Sequence, residues 1–224
     1  MRFKLIESEE KYDNEDNILT KAQAEFFKNS KVRDNQDKLL ICYHSSNSPK
    51  IFDEFNIGDI GFHFGTQKQA ETRKALLNNN IDFKVYLNIK NPYIFDRDLF
   101  QWDPWTICVY IAYGDRLLDE YNSRDYYISN IDRLQTLSNK QFNSYIDIIK
   151  DIIKNFKRTK VKNIYDNEYS KSLRDIFKHL GFDGIRYINE MEGDINDYTY
   201  IAFYQNQIKA IDNKSPTKNN NINK

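Results

Sequence analysis

The 224-residue sequence carries 33 basic and 33 acidic side chains, and its length suits one sizeable domain or one domain with an insertion. The formal net charge of zero argues against a generally cationic nucleic-acid-binding protein, although it leaves room for a local basic patch. Aromatic residues make up 15% of the chain, so a packed core is feasible despite the low mean hydropathy.

The surroundings of the two cysteines and the lengths of the apolar runs indicate the compartment in which the protein resides. Cys42 and Cys108 both lie in apolar surroundings, which favours two buried free thiols over one long-range disulfide. The first ten residues lack the apolar segment of a signal peptide, and no apolar run approaches the length of a bilayer span. We therefore expect a cytoplasmic protein that makes no contact with a membrane.

The first predicted elements are a polar leader and a helix. Residues 1–20 are charged and polar, and we expect them to fray or to form one short extra element. Thr20 is a suitable N-cap for the helix that follows, which has apolar positions at Ala24, Phe27 and Val32. The domain is therefore predicted to begin at residue 21.

Short apolar runs then predict strands. A buried strand that ends in small polar residues is predicted over LLICYHSS, and a second strand over GFHFGT, with a helix after it over QKQAETRKALLNN. The segment FKVYLNIKNPYIFD alternates around Val85, Leu87 and Ile89 and stops at Asn91-Pro92, as a strand followed by a turn does.

The pattern changes over residues 97–165. Apolar residues stand at helical spacing in NKQFNSYIDIIKDIIKNFK, with Ser138 available as a cap, so we interpret 97–165 as a helical insertion outside the core of the domain. A further helix is predicted before Gly181, at which a left-handed residue is expected, and the strands GIRYI and TYIAFY follow.

The last residues have a composition typical of disorder. The segment DNKSPTKNNNINK offers almost nothing to bury, and we expect 212–224 to form a disordered tail. The sequence thus predicts one domain over 21–211, interrupted by the insertion.

Several common active-site motifs are absent from the sequence. It contains no phosphate-binding loop, no paired CxxC or HExxH motif for a metal, and no G-x-S-x-G nucleophile elbow, so we expect no metal cofactor. Of the three histidines, His179 falls on the polar side of its helix and is predicted to be a surface residue. His44 and His63 close or interrupt strands beside small residues, although a single histidine of this kind is more often structural than functional.

Five blocks, taken in order, resemble the ADP-ribosyltransferase-like domains of phage and mobile-element polyvalent proteins. They cover residues 26–96 and 169–211, and they are FFKNSKVRDNQDKLLICYHSS, GFHFGTQKQAETR, VYLNIKNPYIFD, LGFDGIRYINEMEG and YTYIAFYQNQIKA. Any one block would be weak evidence, whereas five in the same order are strong evidence.

The resemblance implies a fold and a reaction. The fold is α+β, with two small packed β-sheets that form a cleft for NAD, as in the branch that contains diphtheria toxin and poly(ADP-ribose) polymerases. The reaction is mono-ADP-ribosyl transfer from NAD to a macromolecular acceptor (protein, RNA or DNA) with release of nicotinamide. The phage and mobile-element context further implies a toxin, a host-takeover factor or a defence effector in the cytoplasm of a bacterium, with an antitoxin or another partner protein.

The resemblance places NAD contacts on the first strand. His44, with Tyr43 beside it, corresponds to the strand-end histidine that contacts the ribose of the nicotinamide half. The carboxamide needs a backbone donor and acceptor, and the small residues Ser45 and Ser46 allow its close approach. The family usually has glycine where this chain has Ser45.

Further NAD contacts are implied for the second strand and the helix after it. His63 stands where polymerase-type relatives carry a tyrosine that stacks on nicotinamide, while Phe64 is expected to point into the core. Gly61 and Gly65 are expected to let backbone and ligand lie close together. Arg73 is expected either to contact a phosphate or to be solvated.

The reaction also needs a negative charge. Cleavage of the bond between ribose and nicotinamide passes through an oxocarbenium-like transition state, which a nearby carboxylate stabilises. Polymerase-type relatives carry a catalytic glutamate where this chain has Thr199, so Glu192, and after it Glu190, are the candidates for the missing charge, unless both belong to a solvated acidic loop. Gln207 is expected to close the cleft, to orient the acceptor or to bind backbone.

Two other functions remain open. The chain could hydrolyse NAD with water as acceptor, or it could be a degenerate fold that binds NAD, a nucleotide or a partner without turnover. The six Lys and Arg residues between 150 and 162 are either a solvated helix end or a patch for RNA, DNA or an acidic protein.

Overall fold

The computed structural model describes residues 10–48, 52–55, 60–77, 81–99, 101–114, 124–156, 168–194 and 197–224. Its helices are α1 (Lys21–Phe26), α2 (Gln67–Leu77), α3 (Pro104–Tyr113), α4 (Arg124–Asn130), α5 (Ile146–Asn155) and α6 (Glu168–His179). Its strands are β1 (Cys42–Ser46), β2 (Phe62–Phe64), β3 (Ile81–Leu87), β4 (Pro92–Ile94), β5 (Gly184–Ile188), β6 (Tyr198–Ala202) and β7 (Ile208–Ala210). Short 3-10 helices cover Ile131–Arg133, Lys140–Tyr145 and Gln205–Gln207.

The strands of the described residues form two small sheets. One sheet is antiparallel with the strand order β1-β3-β7. The other has the order β2-β6-β5-β4, and within it only β4 and β5 run parallel. Two small sheets surrounded by helices confirm the expected α+β class.

A reciprocal pair of backbone hydrogen bonds joins the two sheets. The N–H of Tyr43 donates to the carbonyl of Gly65 at 2.8 Å, and the N–H of Gly65 donates to the carbonyl of Tyr43 at 3.0 Å. Backbone groups two residues apart in a strand point to the same side, so those of Ser45 lie on the Tyr43 side of β1, one step beyond this junction. A cleft opens at this point.

Apolar side chains form three buried clusters. The largest packs the four-stranded sheet against helices α3, α5 and α6. The second combines residues of both sheets and includes Phe64, which is 1% exposed, as the strand alternation predicted. The third joins α1 to β1 and β3 through Phe27, Ile41 and Tyr86.

Several local predictions are confirmed. The Thr20 hydroxyl caps α1 by accepting from the N–H of Gln23 at 3.1 Å, and Gly181 follows α6 with a φ of +89°. Cys42 and Cys108 are free and buried.

No described helix is long and apolar enough to cross a membrane.

The segment 97–165 is helical where it is described, but it does not lie outside the core. Its described residues supply helices and no strand, and their apolar side chains belong to the same buried cluster as those of β5 and β6. Phe142 has no exposed surface. Its ring centroid lies 5.7 Å from that of Tyr93 and 5.3 Å from that of Phe177. The segment completes the core because the sheet has an apolar face that needs a cover.

The structure also corrects the expected disorder of 212–224. Ile222 is buried, and its carbonyl accepts from the N–H of Ala210 at 3.0 Å. The polar composition hid this packing, because carbonyls of the segment accept hydrogen bonds from the buried ammonium group of Lys209.

The leader forms a short element in its described part. Asp13 has no exposed surface, and its carboxylate accepts from the Tyr86 hydroxyl at 2.6 Å and from the N–H of Asn17 at 2.9 Å. These bonds connect the leader to β3. Residues 10–20 therefore form the short extra element that the sequence allowed, and they do not fray. Residues 1–9 lie outside the described residues.

If the segment 97–165 is part of the core, Phe142→Ala should destabilise the whole domain by about 3–5 kcal/mol, because it leaves a cavity between the segment and the sheet. Ile148→Ala on the same segment is a matched control, since Ile148 is 43% exposed and should cost about 1 kcal/mol or less. Urea unfolding followed by fluorescence measures both. An equally small loss for the two variants would contradict the packing.

Candidate functional site

A cleft of about 670 Å³ lies between β1, β2, α2 and the segment that follows β4. This volume falls in the range of small-molecule and cofactor sites. Ten of the residues that the sequence analysis assigned to NAD binding or catalysis line it: Tyr43, His44, Ser45, Ser46, Gly61, His63, Gly65, Arg73, Glu192 and Thr199.

Two assigned catalytic residues lie elsewhere. Glu190 is exposed and does not line the cleft. Gln207 is buried, and its Nε2 donates to the carbonyls of Asp183 at 2.9 Å and Asn88 at 3.3 Å. A buried amide needs such partners, so Gln207 has a structural role and the catalytic assignment of these two residues is corrected.

His44 is fixed by a hydrogen bond to the backbone of β2. Its Nδ1 lies 2.8 Å from the carbonyl oxygen of His63. Because a carbonyl oxygen only accepts, Nδ1 carries the proton, and Nε2 is the acceptor of the neutral ring. Burial lowers the pKa of His44, and the charge on Arg73 lowers it too, against the effect of the hydrogen bond to His63. His44 is therefore a neutral side chain at pH 7.

His63 is also neutral, and it borders an aromatic wall. Burial lowers its pKa to about 3, and the positive charge of Arg73 contributes. The Tyr187 hydroxyl lies 3.5 Å from Nδ1 of His63, and the Tyr187 ring packs on Trp102 with ring centroids 3.8 Å apart. A flat ring that enters the cleft would meet an uncharged, largely aromatic surface.

Glu192 brings a carboxylate into the cleft, with a partner at each oxygen. Arg73 donates from Nη1 to Oε1 at 2.7 Å, and Asn189 donates from Nδ2 to Oε2 at 3.0 Å. The side chain of Glu192 is 19% exposed, whereas that of Arg73 is 53% exposed. The carboxylate is therefore held from the protein side by Asn189 and covered from the solvent side by Arg73.

Thr199 links this carboxylate to the rest of the site. Its hydroxyl accepts from Nδ2 of Asn189 at 3.3 Å and donates to Oε1 of Gln69 at 3.1 Å. Gln69 Oε1 is held in turn by the N–H of Thr66 at 2.8 Å. Thr199 carries no charge of its own, and its position suits a residue that orients Asn189 and, through it, Glu192.

The two glycines serve contacts within the protein. A Cβ on Gly61 would lie 2.5 Å from the carbonyl oxygen of Ala202, and a Cβ on Gly65 would lie 2.1 Å from Oε1 of Gln69. The expected close approach is therefore made by neighbouring protein atoms at both positions.

The remaining assigned residues shape the rim. The Tyr43 hydroxyl donates to the Glu15 carboxylate at 3.0 Å, so its side chain anchors the leader while its backbone joins the sheets. Ser45 is buried, and Ser46 Oγ accepts from the N–H of Ser48 at 3.1 Å.

Sequence reasoning left other residues of the cleft unassigned, among them Gln69, Asp98, Trp102, Tyr187 and Asn189. Asn189 and Gln69 stand inside family-matched blocks, where a search for uncharged hydrogen-bonding residues near Thr199 would have found them. Asp98 and Trp102 follow β4, and no spacing in the sequence indicates that this part of the chain returns to the cleft. Burial raises the pKa of the Tyr187 hydroxyl, and negative charge on Glu192 and Asp98 raises this pKa further.

No group of three or more His, Cys, Asp or Glu side chains in the described part of the chain is arranged to hold a metal ion.

Comparison with known proteins agrees with this geometry. The model of the family described as ADP-ribosyltransferase in polyvalent proteins matches residues 34–218, a range that contains every cleft residue named above. No curated protein and no solved structure matched the chain. The family and the fold expected from the five sequence blocks are thereby confirmed.

The low pKa of His63 predicts a pH dependence of stability. Below its ordinary value of 6.5 the unfolded chain binds a proton that the folded protein does not, so the unfolding free energy falls as the pH drops from 7 to 4.5. In His63→Gln this contribution disappears, and we expect the loss over that interval to be smaller by about 1–3 kcal/mol. Urea unfolding at both pH values measures it. Equal losses in the two proteins would show that His63 is protonated in the fold.

Proposed function

Because this chain belongs to the family of ADP-ribosyltransferases in polyvalent proteins, we propose that it transfers ADP-ribose from NAD to a macromolecular acceptor and releases nicotinamide. The observation that supports this proposal most directly is the carboxylate of Glu192, which Asn189 and Arg73 hold in a cleft that two neutral histidines line. Such a cleft offers what an oxocarbenium-like transition state requires.

We propose that the nicotinamide half of NAD binds where the two sheets meet. The backbone N–H and C=O of Ser45 lie on the side of β1 that can meet the carboxamide, and the neutral ring of His63 with Tyr187 provides a flat wall for the pyridine ring. His44 directs its acceptor Nε2 to a ribose hydroxyl. Neutral rings suit this role because nicotinamide in NAD carries a positive charge that a protonated histidine would repel.

The proposed reaction begins with cleavage of the glycosidic bond. The electron pair of the bond between ribose and nicotinamide stays with the ring nitrogen, which becomes neutral as the ribose carbon becomes cationic. The negative charge of Glu192 stabilises this cation, and Asn189 and Thr199 keep the carboxylate in place. A nucleophile of the acceptor then bonds to the ribose carbon and loses its proton to solvent.

Arg73 has a second part in this proposal. It is half-exposed and contacts only one oxygen of Glu192 in the described structure, so a phosphate of NAD can compete for its guanidinium group. This exchange replaces one charge-assisted hydrogen bond of the guanidinium group by another. When Arg73 turns to the phosphate, Glu192 presents its charge to the ribose.

We propose transfer of a single ADP-ribose, since the strand position at which polymerases carry a glutamate is occupied by Thr199. The acceptor is a protein, RNA or DNA, and a toxin, host-takeover or defence role in a bacterium fits the family. Most of the basic residues between 150 and 162, a candidate surface for an acidic acceptor, lie at 157–162, outside the described residues. Hydrolysis of NAD and binding without turnover are the alternatives that experiment separates.

Glu192→Gln should slow nicotinamide release from NAD about a hundredfold or more, because the amide keeps the shape of the side chain but removes its charge. Thr199→Ala should also slow release, by a smaller factor, because it removes a link in the chain of hydrogen bonds that orients the carboxylate. The measurement is nicotinamide release, with and without bacterial lysate as the source of acceptor.

Glu190→Gln is the matched control, since Glu190 belongs to the same acidic motif but is exposed outside the cleft. It should retain the wild-type rate. Full activity of Glu192→Gln would remove this residue from the mechanism, and absence of release by the wild-type protein under all conditions would favour the binding module.

A further inference from the structure

Lys209 is a fully buried lysine whose ammonium group is surrounded by backbone carbonyls. Its Nζ donates to the carbonyls of Asn219 at 2.5 Å, Asn221 at 2.9 Å and Lys224 at 2.7 Å. An ammonium group has three protons, and these three bonds use all of them. Lys209 lies in β7, so this one side chain fixes the segment 219–224 to the three-stranded sheet. We call 219–224 the strap.

The strap in turn holds a short irregular segment, 52–55. The N–H of Ile222 donates to the carbonyl of Asp53 at 2.8 Å, and the Asn223 side chain donates to the Asp53 carboxylate at 2.8 Å. Gln205 connects the same parts from the other side. Its Nε2 donates to the carbonyl of Asn220 at 3.1 Å, and its Oε1 accepts from the N–H of Phe55 at 3.1 Å.

The segment 52–55 forms one wall of the cleft. Phe52 and Phe55 both line the cleft, and their ring centroids are 4.9 Å apart. The Phe55 ring lies edge-on to His44 with centroids 5.2 Å apart, and Phe52 packs on Phe83 at 4.4 Å. The position of the His44 ring therefore depends on aromatic neighbours that the strap holds in place.

We propose that Lys209 and the strap position the phenylalanine wall of the cleft and thereby set its affinity for NAD. This inference rests on the proposed function for the identity of the ligand, but its mechanical part does not. Lys209 lies outside the cleft, so it acts as a positioning residue through the backbone of the strap and through Asp53. The strap should control how tightly NAD is held, while the chemistry at Glu192 should proceed unchanged once NAD is bound.

The test is Lys209→Met, which keeps the apolar stem of the side chain and removes its three donors. We expect the Kd and the KM for NAD to rise about tenfold, the effect of losing roughly one net hydrogen bond from the wall, with kcat changed less than about twofold. Amide hydrogen exchange of the full chain should become faster at Ile222 and at Phe55. Lys218→Met is the matched control, because Lys218 is an exposed lysine of the same C-terminal segment and should change none of these quantities.

A second variant protects the test from a folding failure. Asp53→Ala combined with Asn223→Ala changes two exposed residues and cuts one link between strap and wall without touching Lys209. It should raise the Kd in the same direction and speed exchange at Phe55. Wild-type affinity together with wild-type exchange at Phe55 in both variants would overturn the inference, and so would faster exchange at Phe55 with unchanged affinity.

The two proposals fail in different ways. If the wild-type protein binds no NAD, the proposed function fails, and the strap is then judged by hydrogen exchange alone. Faster exchange at Phe55 in Lys209→Met would still support the positioning of the wall, and unchanged exchange would overturn it. If Glu192→Gln slows nicotinamide release while Lys209→Met leaves the Kd for NAD unchanged, the strap fails and the proposed function stands.

Discussion

The cleft depends on the two backbone hydrogen bonds between Tyr43 and Gly65. They join β1, at the edge of one sheet, to the residue that follows β2, at the edge of the other. His44 follows Tyr43 directly, and its Nδ1 donates to the carbonyl of His63. A side-chain hydrogen bond therefore also connects β1 with β2. Tyr43 and Gly65 both line the cleft, so the hydrogen bonds between their backbones fix the separation of its two strands.

Several polar side chains that line the cleft carry no charge. The two histidines are kept neutral by burial, and the strand position that could hold a catalytic carboxylate has a hydroxyl instead. The carboxylate comes from the loop before β6, at Glu192, and is oriented through Asn189, Thr199 and Gln69. Asn189 holds this carboxylate from the protein side, and in the proposed reaction its dipole need not be reorganised as positive charge develops on the ribose.

Local patterns in the sequence were enough to predict β1, β2, β3, β5 and β6, the cap at Thr20 and the left-handed Gly181, whereas the family resemblance supplied the ten assigned residues that line the cleft. They failed where the answer depends on distant parts of the chain. The polar composition of 212–224 gave no sign that carbonyls of that segment would surround Lys209, and helical spacing could not show that the segment containing Phe142 covers a sheet. The position of each of these segments depends on residues far away in the sequence, and local patterns in a single sequence do not identify those residues.

The central claim is that one molecule of nicotinamide leaves for each ADP-ribose that becomes attached to a macromolecule. It is tested most directly by incubating the protein with bacterial lysate and NAD that is labelled in its adenosine half, and by measuring nicotinamide and acid-precipitable label together. The account predicts equal amounts of the two, with the label removed by protease or by nuclease according to the acceptor. Release of nicotinamide with the label remaining in free ADP-ribose would contradict it.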